Sequence, residues 1–154
     1  MSVQDRIAKI RRLMEERGYD ALVLRNNPDL RWLTGASRVF DFESAHTAFI
    51  TQDKLFFHTD SRYYNTFIER LGADGPWKFD MEQCDMAAWV ARKSYENHVG
   101  SGVICIEDTM TLAQARELDR AFEDRSLAPR FAQLHGDIIA LRAIKDADEI
   151  ALMR

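Results

Sequence analysis

The sequence predicts an α/β fold in which helices flank a mixed β-sheet. Short apolar runs typical of buried strands alternate with longer segments of helical periodicity, and one pair of strands is arranged as a hairpin. The chain has 154 residues, of which 46% are hydrophobic and 30% charged, as in an ordinary globular protein. Its length is that of one domain with a substantial core.

The chain opens with a predicted amphipathic helix. Val3, Ile7 and Ile10 recur at helical spacing, and Gly18 is a typical helix end. Residues 20–24 then form a short apolar run, which predicts a buried strand. A helix followed directly by a buried strand is the first unit of the α/β pattern.

The next segment predicts a turn and a short second helix. The run Asn26-Asn27-Pro28 is expected to break the strand, because proline lacks an amide hydrogen. Asp29 is placed to cap a short helix that ends at Gly35. Residues 36–45 show no clear period, which is typical of a loop.

The hairpin is predicted from two strands at 46–51 and 54–59, and Asp60 or Ser61 is expected to cap the helix after it. The remaining elements follow in order: a turn at 72–76, a strand at 77–81, a helix at 85–97, a strand at 103–106, a helix whose capping box is Thr111 and Gln114, and a strand at 129–134. A further helix is expected to begin at Asp146.

Charge and composition argue against nucleic-acid and membrane binding. The formal net charge is −4, and the densest basic run, Lys9-Ile10-Arg11-Arg12, has acidic neighbours, so we expect it on the solvent side of a helix. No apolar run is long enough to cross a bilayer. Cys84 and Cys105 lack the spacing of a metal or redox motif and are interpreted as reduced thiols of a cytoplasmic protein.

The sequence predicts no catalytic residue and no metal ligand in this chain. Its four histidines, at positions 46, 58, 98 and 135, lack any metal-binding spacing, and no nucleophile or phosphate-binding motif is present. The acidic residues Asp60, Glu82, Asp85, Glu107 and Asp108 are interpreted as solvated charges. For Glu107 and Asp108 we expect a favourable interaction with the dipole of the following helix.

Four segments, taken together in this order, are similar to the N-terminal domain of the creatinase, prolidase and aminopeptidase P family. They are the run from Tyr19 to Gly35, with Trp32 where tyrosine is commoner in the family; the run Leu55 to Tyr63, which ends in Thr-Asp-Ser-Arg-Tyr; the strand at 103–107 with its following helix; and the run Leu141 to Ile150. The resemblance covers nearly the whole chain.

The resemblance implies that residues 1–145 form this non-catalytic domain and that residues 146–154 begin a linker helix to a catalytic domain. The parent would then be a homodimeric Xaa-Pro peptidase acting on proline-containing peptides. Its two divalent cations, Mn, Co or Zn, would lie in the catalytic domain. Two alternatives stay open: a creatinase-like amidinohydrolase, and a non-enzymatic peptide- or histone-binding module of the same fold.

The resemblance also implies a substrate-binding role across the dimer for the loop after Gly35, with Arg38, Phe40, Asp41 and Phe42 as the candidate residues. Packing of the two phenylalanines in the core or the loop is an equally good interpretation. Asp60, in contrast, is interpreted as a helix N-cap and not as a substrate contact.

Overall fold

The computed structural model describes residues 2–36, 45–71, 75–80, 83–144, 150, 151 and 153. The helices of this part are α1 Val3–Arg17, α2 Asn27–Thr34, α3 Ser61–Leu71, α4 Met86–Glu96, α5 Leu112–Asp124 and α6 Asp137–Ala143. The strands are β1 Ala21–Leu24, β2 Thr47–Ile50, β3 Leu55–His58, β4 Lys78–Asp80, β5 Val103–Ile106 and β6 Arg130–Gln133.

The six strands form one mixed sheet in the order β4-β3-β2-β1-β5-β6. Strand β2 is antiparallel to its neighbours β1 and β3, while the pairs β1–β5, β5–β6 and β3–β4 are parallel. Five strands therefore run in one direction, and β2 alone of the six runs in the other. The predicted fold class, a mixed sheet flanked by helices, is confirmed.

Helices cover both faces of the sheet and create two apolar cores. One core joins α1, α2, α3 and α6 to the sheet, and its largest fully buried side chains include Leu22, Leu33 and Phe67. The other joins α4 and α5 to the opposite face through Phe49, Trp89 and other apolar side chains. Strands β1 and β2 are buried along their whole length, as expected for central strands covered on both faces.

Two predicted helix starts are confirmed by their caps. The Thr111 hydroxyl accepts from the Gln114 backbone amide at 3.1 Å, and the Gln114 side chain accepts from the Thr111 backbone amide at 3.0 Å. The Asp60 carboxylate accepts from the Arg62 backbone amide at 2.9 Å, in the first turn of α3. Both starts are local signals, since donor and acceptor lie within three residues of each other.

The predicted cap of α2 is wrong, and one helix was not predicted. Helix α2 begins at Asn27 with Asn26 as its N-cap, and the Asn26 side chain accepts from the Asp29 amide at 3.3 Å. Strand β1 ends before the Asn26-Asn27-Pro28 run, as expected, and Pro28 lies in the first turn of α2, where its missing amide hydrogen costs nothing. Helix α6 lies between the last predicted strand and the helix expected from Asp146, which begins outside the described residues.

Gly35 ends α2 in a conformation that favours glycine. Its φ is 72°, in the left-handed region, and its amide donates to the Arg31 carbonyl at 2.9 Å. A Cβ added to Gly35 would lie 2.8 Å from Cγ2 of Val3, in α1. Gly35 therefore serves both the helix cap and the close approach of α1 to α2.

We expect Gly35→Ala to destabilise the fold more than Gly18→Ala does. Gly18 has a similar φ of 73° but nothing within 4 Å of an added Cβ, so its substitution measures backbone strain alone, about 1–2 kcal/mol. Urea unfolding should show a larger loss of unfolding free energy for Gly35→Ala than for Gly18→Ala. The excess should shrink when Val3 is also changed to alanine, and equal losses at the two glycines would contradict the packing role.

Candidate functional site

The carboxyl ends of five strands lie at one edge of the sheet, which we call the carboxyl edge, and several polar side chains lie there. Strands β1, β3, β4, β5 and β6 all end there, and β2 begins there. In open α/β sheets, ligands bind at this edge, at the points where neighbouring strands send their helices to opposite faces. The change of face occurs here between β1 and β5, because β1 leads to α2 on one face and β5 leads to α5 on the other.

Four polar residues occupy adjacent positions across this edge. Thr47 pairs with His58, and His58 pairs with Asp80. Arg25 directly follows β1, and the pairing of Leu24 with Ala48 places it beside Thr47 when the register is continued by one residue. We call Arg25, Thr47, His58 and Asp80 the polar row. It crosses β1, β2, β3 and β4.

His58 and Asp80 of the polar row are held by α4. The His58 ring stacks on Trp89 with a centroid distance of 5.0 Å. The Asp80 carboxylate accepts from the Trp89 indole at 3.0 Å and pairs with the Lys93 ammonium at 2.8 Å. The Lys93 ammonium also lies 5.1 Å from the centroid of the Phe56 ring. These contacts join this side of the edge to α4.

Burial sets the protonation state of His58. Its side chain is 8% exposed, and this desolvation lowers the pKa of His58 below its usual range. The negative charge of Asp80 opposes the shift, whereas Arg25 and Lys93 reinforce it. Burial also tends to raise the pKa of Asp80, but hydrogen bonds from Lys93 and Trp89 outweigh it, so that this pKa is lowered. The site favours neutral His58 beside an ionised Asp80.

A second polar group lies where β1 and β5 end. The Glu107 carboxylate accepts from the Asn26 backbone amide at 2.8 Å, and the Arg142 guanidinium donates to the Asp29 carboxylate at 2.8 Å. Glu107 is 4% exposed and Asp29 7% exposed. Burial raises the pKa of both carboxyl groups despite these partners.

The interpretation of Glu107 as a solvated charge is wrong. Its side chain is buried and accepts a backbone hydrogen bond from the start of α2. Asp108 is exposed, yet its carboxylate accepts from the Gly136 amide at 3.0 Å, which connects β5 to the start of α6. These contacts join residues that are far apart in the sequence, so no local sequence pattern predicts them. A weak signal was available, because the two acids are the first two residues after β5.

His46 belongs to the core beneath this edge. Its ring is buried, with Nδ1 2.8 Å from the Thr59 hydroxyl oxygen. The rings of Tyr63 and Phe67 contact it edge-on at centroid distances of 4.9 and 5.0 Å. The segment that contains Asp60, Arg62 and Tyr63 therefore caps α3 and packs it against the sheet. The interpretation of Asp60 as an N-cap is confirmed.

The predicted substrate-binding residues Arg38, Phe40, Asp41 and Phe42 lie outside the described residues. The segment that contains them enters β2 at Ala45 and His46, at the edge that carries the polar row. Within the described ranges, no group of three or more His, Cys, Asp or Glu side chains is arranged to hold a metal ion. Among the helices of those ranges, none has the length and apolar character needed to span a bilayer.

Comparison with known protein families identifies the family of this chain. A family model described as the creatinase/prolidase N-terminal domain matches residues 6–144. The chain belongs to this family. The resemblance seen in the sequence is thereby confirmed. Of the motifs that suggested it, the first three form β1 with α2, β3 with the start of α3, and β5 with α5, and the fourth begins at Leu141, near the end of α6.

Several solved structures share the fold of this creatinase/prolidase N-terminal domain. The Xaa-Pro dipeptidase from Bacillus anthracis is 21% identical with a TM-score of 0.80, and the match covers 97% of this chain and 38% of that one. Aminopeptidase P from Streptococcus thermophilus is 18% identical with a TM-score of 0.73, covering 91% of this chain and 98% of that one. The N-terminal domain of the cytoplasmic peptidase PepQ from Mycobacterium tuberculosis is 20% identical with a TM-score of 0.74, covering 90% and 98%.

These likenesses show the shared fold. No curated protein sequence matches the chain significantly. The chain spans 38% of the length of the dipeptidase from B. anthracis.

We expect His58 to make the domain less stable as the pH falls through 6.5. The unfolded chain binds a proton on His58 near its ordinary pKa of 6.5, whereas the folded chain, with its lowered pKa, does not. Acidification from pH 7.5 therefore favours the unfolded state until the lowered pKa of the folded protein is reached. The His58→Phe variant keeps a ring against Trp89 but cannot titrate. Its free energy of unfolding should therefore fall less on acidification, by up to about 1.4 kcal/mol per pH unit.

The measurement is urea unfolding of both proteins between pH 7.5 and 5.5. His135→Gln is the matched control, because His135 is exposed. The control should follow the pH profile of the unsubstituted chain. If the His58→Phe and unsubstituted profiles are parallel, His58 does not titrate differently on folding and the expected burial effect is absent.

Proposed function

We propose that this chain is the non-catalytic N-terminal domain of a metal-dependent Xaa-Pro peptidase of the prolidase or aminopeptidase P type. The observation that carries the proposal is the family match over residues 6–144, in a fold shared with an Xaa-Pro dipeptidase and an aminopeptidase P. Because the chain spans 38% of that dipeptidase, the hydrolytic activity is assigned to the longer parent and not to this domain.

In this proposal the cations of the parent are bound outside this chain. The described residues do not fit a metal site, since none of their His, Cys, Asp and Glu side chains form a group of three. Two divalent cations, Mn, Co or Zn, would polarise the carbonyl of the bond to be cut and lower the pKa of water in the catalytic domain. This domain would shape the substrate cleft and contribute to a homodimer interface.

The part of this domain assigned to substrate is the segment with Arg38, Phe40, Asp41 and Phe42. Support comes from the end of the sheet at which this segment joins β2, since Thr47, the first residue of β2, lies at the carboxyl edge in the polar row. An aromatic ring can shape a pocket around a proline ring, and a guanidinium can bind a carboxylate through two parallel hydrogen bonds. In the proposed homodimer the segment reaches the substrate site of the partner subunit.

We assign the parent to the cytoplasm. Cys84 and Cys105 are both free thiols. Burial raises the pKa of Cys105 to about 12, which keeps its thiol protonated and unreactive at neutral pH. The named neighbour PepQ is a cytoplasmic peptidase.

The test compares three forms of the protein on an Xaa-Pro dipeptide in the presence of Mn²⁺, Co²⁺ or Zn²⁺. The full-length parent should hydrolyse it, and residues 1–154 alone should not. The third form is the parent with Arg38→Ala, Phe40→Ala or Phe42→Ala. These variants should change the preference between an Xaa-Pro dipeptide and a longer Xaa-Pro peptide by about tenfold, the size of effect of one lost pocket contact, with little change in melting temperature.

Glu123→Ala in the parent is the matched control, because Glu123 is exposed near the end of α5, which leads to the start of β6 at the opposite edge of the sheet. It should leave the substrate preference unchanged. Cleavage by residues 1–154 alone, or a parent that hydrolyses creatine and no Xaa-Pro peptide, would contradict the proposal. If the three loop variants lose activity and melting temperature together at a constant substrate ratio, the segment is part of the scaffold and its substrate role is wrong.

A further inference from the structure

A groove lies between the exposed side of α1 and the first residues of β3. It consists of two adjoining hollows of about 510 and 290 Å³, which share Arg11, Leu55 and Pro76 in their walls. The combined space is within the range of about 300–1,000 Å³ that is typical of ligand sites. Leu55 is the first residue of β3 and His58 is the last, so the groove and the polar row lie at opposite ends of this strand.

The walls of the groove combine an apolar strip with positive charge. Ile7, Leu55 and Pro76 supply the apolar part. The cationic side chains are Arg11 and Arg12 from α1 and Lys54 from the turn before β3. Two of these residues belong to the basic run that the sequence assigned to the solvent side of a helix. The structure shows that they line a groove.

Hydrogen bonds of the β2–β3 turn fix one wall of the groove. The Arg11 side chain donates through Nε to the Thr51 carbonyl at 3.1 Å, and Gln52 donates to the Arg11 carbonyl at 3.1 Å. The Asp53 carboxylate in this wall accepts from the Thr51 hydroxyl at 2.9 Å. Arg11 is thus oriented before any ligand binds, which reduces the entropy lost on binding.

The charge of the groove differs from that of the chain as a whole. The chain has a formal net charge of −4, whereas Arg11, Arg12 and Lys54 outnumber the carboxylates Glu15 and Asp53 in the groove walls. Lys78 also lines the smaller hollow, but its ammonium lies 6.0 Å from the Phe56 ring, so we assign no ligand contact to it. A local excess of positive charge on an acidic protein favours a small anionic partner and disfavours a long polyanion.

We propose that this groove binds an acidic peptide segment of a partner protein. An apolar side chain of the segment would pack on Ile7, Leu55 and Pro76, while flanking carboxylates would pair with Arg12 and Lys54. The remaining N–H groups of Arg11 would donate to a carboxylate at the junction of the two hollows. This inference is independent of the peptidase function, because the groove lies away from the carboxyl edge of the sheet.

The experiment measures the fluorescence anisotropy of a fluorescein-labelled peptide, Glu-Asp-Glu-Leu-Glu-Asp-Glu, titrated with residues 1–154. Binding should weaken with rising salt, as expected for exposed charge pairs. Arg12→Gln with Lys54→Gln should weaken it about tenfold, since both charged hydrogen bonds to the peptide are lost. Arg11 is left unchanged because its bond to Thr51 supports the turn.

Arg116→Gln with Arg120→Gln is the matched control. Both arginines are exposed on α5, and their removal changes the net charge by the same amount. The control should bind the peptide like the unsubstituted chain, and a peptide with glutamine and asparagine at every acidic position should not bind. Circular dichroism should show that all variants are folded.

Three results would overturn the proposal. The first is no binding, or equal weakening in the groove and control variants, which would leave only general attraction between opposite charges. The second is tighter binding of a single-stranded DNA oligonucleotide of equal charge, which would make the groove a nucleic-acid site. The third is a dimer in sedimentation that the groove variant abolishes and the peptide does not displace, which would make the occupant a second copy of this chain.

Discussion

Burial of the central strands on both faces determines where this domain can place polar chemistry. Strands β1 and β2 are buried at every residue, so a charged side chain within them would lose its water without gaining a partner. Polar side chains therefore gather where strands end. Because five strands run in one direction, most of these ends meet at one edge, where the polar row and the Asp29–Arg142 and Asn26–Glu107 contacts lie.

The family motifs serve the fold at this edge. Asn26 caps α2, Asp60 caps α3, and Asp29 pairs with Arg142 from the segment after β6. Each of these contacts involves a charged or amide side chain near the end of a strand. Such side chains are also common in binding sites. In the described part of the domain these contacts instead stabilise helix starts and join α2 to α6. This structural role agrees with our proposal that catalysis takes place in another domain.

Structural features that depend on residues close together in the chain could be predicted from the sequence. Features that depend on contacts between distant residues could not. The alternation of helices and strands and the Thr111–Gln114 capping box depend on neighbours in the chain, and both were predicted. Helix α6 was not predicted, because it has only seven residues and its N-cap residue, Gly136, has no side chain to cap it. The burial of Glu107 depends on Asn26, 81 residues away, which no local pattern reveals. The assignment of Arg38, Phe40, Asp41 and Phe42 to substrate stays a prediction.

A partly buried contact between two family motifs, Asp29 and Arg142, holds the carboxyl edge together, and a double-mutant cycle on these two residues tests this most directly. Urea unfolding at pH 7 is measured for the unsubstituted chain, Asp29→Asn, Arg142→Gln and the double variant. The two groups lie 2.8 Å apart, with Asp29 buried and Arg142 partly exposed, so the sum of the two single losses of unfolding free energy should exceed the double loss by about 1–2 kcal/mol. The reason is that either change alone already breaks the pair. Losses that add to within about 0.5 kcal/mol would show that the two residues do not stabilise each other, and would contradict this account of the edge.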